Sequence, residues 1–127
     1  MFIIPFLLIN RTGGGTPAAP VNSVAPVISG TPTQGETLSA SPGVWTGFPY
    51  PSFTYQWEAD GSPIVGATSS TFVLTATEVG ANITCDVTGT NTEGAATGTS
   101  NTIGPVVAAA TTIGQPVGLL LILTKAA

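Results

Sequence analysis

Histidine is absent from this 127-residue chain, lysine and arginine together occur twice, and there is a single cysteine, Cys85. Each shortage closes a route. Without His the commonest general base is missing, and no Ser or Cys has an evident activating partner. Two cations, Arg11 and Lys125, cannot form the basic patch that neutralises phosphates, which excludes a nucleic-acid-binding role. One cysteine makes no intramolecular disulfide and leaves the redox compartment open. Charged residues are only 6% of the chain, against about a quarter in typical globular proteins. Solubility therefore rests on Thr, Ser, Asn and Gly.

The six acids, Glu36, Glu58, Asp60, Glu78, Asp86 and Glu93, are scattered, and the formal net charge is -4. Nothing in their spacing pairs two carboxylates for acid-base work or clusters the oxygens that calcium needs. No catalytic residue, metal ligand or cofactor is expected, and the chain reads as non-enzymatic. Asn10-Arg11-Thr12 and Asn82-Ile83-Thr84 match the glycosylation sequon, a pattern that is cheap in a Thr-rich chain.

What the chain does have is an apolar, almost uncharged run at each end: residues 2–9 (FIIPFLLI) and 117–123 (VGLLLIL). A bilayer-spanning helix needs about 20 apolar residues, so no membrane span is expected. A secretory signal opens with positive charge; here Pro5 interrupts the apolar run and Arg11 follows it, so a cleaved signal is not expected. Runs apolar on both faces are an aggregation hazard on an exposed edge and make sense when buried. The expected assembly interface is thus Phe2, Ile3, Ile4, Phe6, Leu7, Leu8 and Ile9 with Leu119, Leu120, Leu121, Ile122 and Leu123. The alternatives are that these segments pair with each other or fold back on their own domain. Attachment to a lipid surface is weaker, because only two cations flank them.

Gly and Pro, together 27 of the 127 residues, punctuate the rest. Residues 1–11 form an apolar arm, 12–26 (TGGGTPAAPVNSVAP) a Gly/Pro/Ala linker, 27–107 a domain, 108–116 a second linker and 117–127 a second arm. Inside the domain, short β-like runs alternate. Phe53, Tyr55 and Trp57 alternate with Thr54, Gln56 and Glu58; Asp60-Gly61 supplies a hairpin turn; Phe72 and Leu74 flank Val73; Ile83, Cys85 and Val87 make an inward row. About seven short strands with no helical periodicity predict an all-β, antiparallel β-sandwich. The expected core is Leu38, Tyr55, Trp57, Phe72, Leu74, Ile83, Cys85 and Val87.

Residues 45–53 (WTGFPYPSF) are the best candidate ligand site within the domain. Trp45, Phe48 and Tyr50 crowd around two prolines, and aromatic rings with polar edges stack on sugars or anchor interfaces. The competing reading is a loop that caps the open end of the core.

Ser29-Gly30-Thr31-Pro32, Gly35-Glu36-Thr37-Leu38, Pro42-Gly43-Val44-Trp45, Tyr55-Gln56-Trp57, Asp60-Gly61, Ile64-Val65-Gly66-Ala67-Thr68, Val79-Gly80-Ala81-Asn82-Ile83-Thr84 and Val87-Thr88-Gly89-Thr90-Asn91 follow one another in order. Over roughly residues 27–107 this series resembles the bacterial immunoglobulin-like domains of surface proteins and bacteriophage virion proteins. The resemblance implies that Trp57 is the core tryptophan of the third strand. It also places Cys85 where a disulfide-bonded relative keeps its second cysteine, with Leu38 at the facing position and packing in place of the bond. It implies a structural protein of a phage virion, a capsid decoration or head-fibre-like subunit held by its apolar ends, with copies of itself or other virion proteins as partners. The alternative is an adhesion module of a phage tail or bacterial surface that binds cell-surface glycan. Fold does not carry function with it, so both stand as expectations.

Overall fold

The computed structural model describes residues 15–112. Nine strands succeed one another: β1 (Ala18–Val24), β2 (Val27–Ser29), β3 (Thr37–Ser41), β4 (Val44–Phe48), β5 (Ser52–Ala59), β6 (Ser62–Pro63), β7 (Thr71–Val73), β8 (Ile83–Asn91) and β9 (Gly94–Thr99). The domain is all-β, its strand ladders are antiparallel, and the one helical turn among the described residues is a short 3-10 helix, Ala76–Glu78. That turn carries a capping box. Glu78 is buried, and its carboxylate accepts hydrogen bonds from the Thr75 amide at 2.9 Å and the Thr75 hydroxyl at 2.8 Å.

The strands form a four-stranded sheet in the order β6-β5-β8-β9, a three-stranded sheet β2-β3-β7 and a two-stranded pair β1-β4. The last two are segments of one kinked ribbon. Its outgoing limb is β1 then β2 and its returning limb β3 then β4, with Val27 opposite Ser41 below the kink and Val24 opposite Val44 above it. The kink lies at Ala25-Pro26 and Pro42-Gly43, where prolines withhold ladder donors. Gly43 has φ +82, and a β-carbon there would collide with the Val24 carbonyl oxygen, so the limbs approach this closely only around glycine.

β1 corrects the domain plan read from the sequence. Residues 18–24 are a paired strand and not linker. Pro20 sits where the register with β4 shifts between Ala18 and Val21, so its missing N–H falls at an irregularity. The far end of the domain is closed by residues 103–107. Ile103 bridges Ile83, Val106 bridges Val79 and is 2% exposed, and Val107 bridges Thr33.

Leu38, Trp57, Leu74, Ile83, Cys85 and Val87 are buried in one cluster, as the alternation predicts. Trp57 stands opposite Cys85, stacks on Phe72 at 5.6 Å, and donates its indole N–H to the Ser69 carbonyl at 2.8 Å. Leu38 lies opposite the same Phe72. Two expected core members are displaced outward: Tyr55 and Phe72 are half-buried and pack against the cluster from its margin. Phe72 sits on β7, an end strand of its sheet, and its exposed flank follows from that position.

Candidate functional site

The aromatic segment 45–53 does not form the open loop its prolines predict. Its first four residues continue β4 and its last two begin β5. Strand alternation then separates the three rings. Trp45 points inward and is 3% exposed; its indole N–H donates to the Pro42 carbonyl at 2.6 Å and its ring lies 5.5 Å from Phe53. Beneath it runs β8 at Gly89, where a β-carbon would stand 3.0 Å from the indole carbons. Trp45 is a core residue and is withdrawn as a ligand contact. An isolated glycine inside a strand pattern was the available signal for this close approach.

Phe48 and Tyr50 do reach the surface, at 38% and 65% exposure. Tyr50 meets Phe53 edge-on at 5.9 Å. The turn carrying it is tied down by Asn91, whose amide donates to the Pro49 carbonyl at 2.7 Å and to the Ala18 carbonyl at 2.9 Å. A shallow open concavity of about 280 Å³ lies elsewhere, lined by Val65, Ala67, Thr71, Phe72 and their neighbours, and includes neither ring. Two exposed rings remain of three candidates, one on the ribbon and one on the turn.

The ribbon itself is the larger feature. On β4, Val44, Thr46 and Phe48 face outward while Trp45 faces the core. Across from them Val24 pairs with Val44 and Val21 with Thr46. Val21, Val24 and Val44 are 57%, 54% and 52% exposed. Neither limb, residues 18–29 or 37–48, contains a charged residue. All six carboxylates lie elsewhere on the described domain, and both cations, Arg11 and Lys125, lie outside the described residues. The described body is therefore acidic with one uncharged, valine-bearing face.

The outer face of the four-stranded sheet is the reverse. Thr54, Thr88 and Thr97 stand in one row and Gln56, Asp86 and Thr99 in the next. The Thr88 and Thr97 hydroxyls are 2.8 Å apart, and the Thr99 hydroxyl donates to Asp86 at 2.6 Å.

The chemistry of the remaining groups is quiet. Burial pushes the Cys85 thiol up to about 11, aided by nearby Asp86 and Glu58 and opposed by the Gln56 backbone, so the sulfur is a neutral packing atom at physiological pH. Among the described residues no group of three His, Cys, Asp or Glu side chains is placed to hold a metal ion. No helix among them is long and apolar enough to cross a membrane. The assembly residues expected at the ends, Phe2 to Ile9 and Leu119 to Leu123, lie outside the described residues. The chain matches no family model, and comparison with curated proteins finds no match.

Proposed function

We propose that this chain is a non-enzymatic structural protein of a bacteriophage virion, a capsid-decoration or head-fibre-like subunit that is held by its apolar ends and displays an immunoglobulin-like domain. The observation that carries the reading is the pairing of an acidic body with an uncharged valine face beside the entry of an apolar N-terminal segment. Gly15, the first described residue, lies so close to the Phe48 ring that a β-carbon on it would stand 3.5 Å away, so the described chain begins at the Phe48 end of that face. Apolar patches of this kind mark protein-interaction sites. The strand order β2-β3-β7 against β6-β5-β8-β9, with Trp57 opposite Cys85, supports the immunoglobulin-like assignment. The setting in a virion rests on the sequence resemblance.

The test compares full-length chain with a chain lacking residues 1–10 and 117–127 for incorporation into purified particles of the phage that encodes it. Full-length chain is expected to sediment with the particles, and the shortened chain to stay behind while melting cooperatively as a folded monomer. Equal incorporation of both would overturn the anchoring role. The adhesion alternative, glycan held at Phe48 and Tyr50, is checked by glycan binding of Tyr50→Ala, which is expected to match the parent.

A further inference from the structure

The outer face of the β1-β4 ribbon lacks a partner within the described domain. Val21, Val24, Val44 and Phe48 line it, Thr46 stands among them, and no charge interrupts it. Residues 2–9 are the matching counterpart: eight residues, all apolar, with no charge and no side-chain hydrogen-bonding group. An extended segment of that length spans about 26 Å at most 3.3 Å per residue, enough to cover the seven residues of β1. We propose that the outer face of the β1-β4 ribbon is the seat for residues 2–9 of a second copy of this chain. The inference rests on the assembly reading above and names the partner of one end.

Three observations favour a second copy as the occupant. Residues 15–17 contain no turn, and Gly15 lies at the ribbon's Phe48 end, so the backbone does not reverse within these residues. A seat on the same ribbon demands a full reversal within residues 10–14; a seat on a neighbour demands none. Those five residues reach about 17 Å, far enough to hand the segment to an adjoining body. Charge agrees as well. The described bodies are acidic and repel one another, and their uncharged ribbon face is where they approach at least electrostatic cost. The segment brings Arg11, the cation nearest the N-terminus, toward its acidic neighbour. Reciprocal exchange of segments closes a dimer, and head-to-tail exchange builds a ring or a fibre.

Cross-linking of full-length chains tests the assignment. Leu8→Cys is placed in one preparation and Thr46→Cys in another; Cys85 is buried and does not compete. After mixing and mild oxidation, a disulfide-linked heterodimer is expected on a non-reducing gel. A chain carrying both substitutions that closes only within itself, or the absence of any cross-link, overturns the proposal. As a second readout, Val24→Thr with Val44→Thr keeps side-chain shape on exposed positions and is expected to weaken self-association about tenfold or more in Kd, with thermal melting unchanged at concentrations where the protein is dissociated. Unaltered self-association overturns it. Chains that cross-link as expected but never enter a particle would sink the virion setting and leave this inference standing.

Discussion

The outer face of the β5-β8-β9 sheet and the outer face of the β1-β4 ribbon are built from side chains of nearly one shape and opposite affinity for water. Thr54, Thr88, Thr97 and Thr99 occupy the first, Val21, Val24 and Val44 the second. Threonine and valine share β-branching and both suit a pleated strand. Strand propensity therefore cannot account for the choice between them. Each Val in place of Thr leaves a methyl in water where a hydroxyl would be solvated, and of these two faces only the ribbon accepts it. The threonine face satisfies itself, with Thr88 bonded to Thr97 and Thr99 to Asp86. The valine face is finished by something else, and an apolar end of the same chain is the candidate with matching chemistry.

Perturbations rank by how deeply they cut into this contrast. Trp45→Ala is expected to cost about 3–5 kcal/mol, because the indole fills the core between the ribbon and Gly89; chemical denaturation measures it, and a near-neutral result would return Trp45 to the surface. Gly43→Ala is expected to cost about 2–3 kcal/mol by forcing a β-carbon at φ +82 against the Val24 carbonyl. It forces the two limbs apart beside Val24 and Val44, so self-association should fall with stability.

Alkaline pH has a smaller effect, with a defined sign. The Cys85 thiol is raised from 9.0 in the unfolded chain to about 11 in the fold, so its stabilising contribution is complete below pH 9 and is lost as pH rises toward 11. The melting temperature should decline across that window, and Cys85→Ala should flatten the decline. Exchanging surface chemistry moves stability least. Val24→Thr and Thr88→Val are each expected within about 0.5 kcal/mol of the parent, yet the first should weaken association and the second leave it alone. Equal effects on association would erase the distinction between the two faces.

Much of the fold was legible in the sequence where alternation was clean. Residues 53–57 and 83–87 read as half-buried strands and are so, and Trp57 and Cys85 stand opposite each other at the centre of the core. The ribbon's outer end was not legible. Pro17, Pro20 and three alanines in residues 17–25 break the pattern of β1, and its strand character comes from pairing with β4 rather than from its own composition. Gly47, Pro49 and Pro51 likewise disguised β4 as loop, which made Trp45 look available to a ligand. The clue to its burial was Gly89, more than 40 residues away in sequence, whose missing side chain leaves the space the indole occupies. The valine face was hidden for a related reason. Its members come from two segments whose register only the fold supplies.

Hydroxyl-radical footprinting of the full-length chain, at concentrations above and below its dissociation midpoint, tests the central claim most directly. Phe48 and Val44 should be protected in the associated protein and become labelled on dilution, while Tyr55, on the inner side of the four-stranded sheet, keeps one level of labelling throughout. Labelling of Phe48 and Val44 that is already high in the associated protein and does not change on dilution would contradict the claim that the ribbon face is a buried interface.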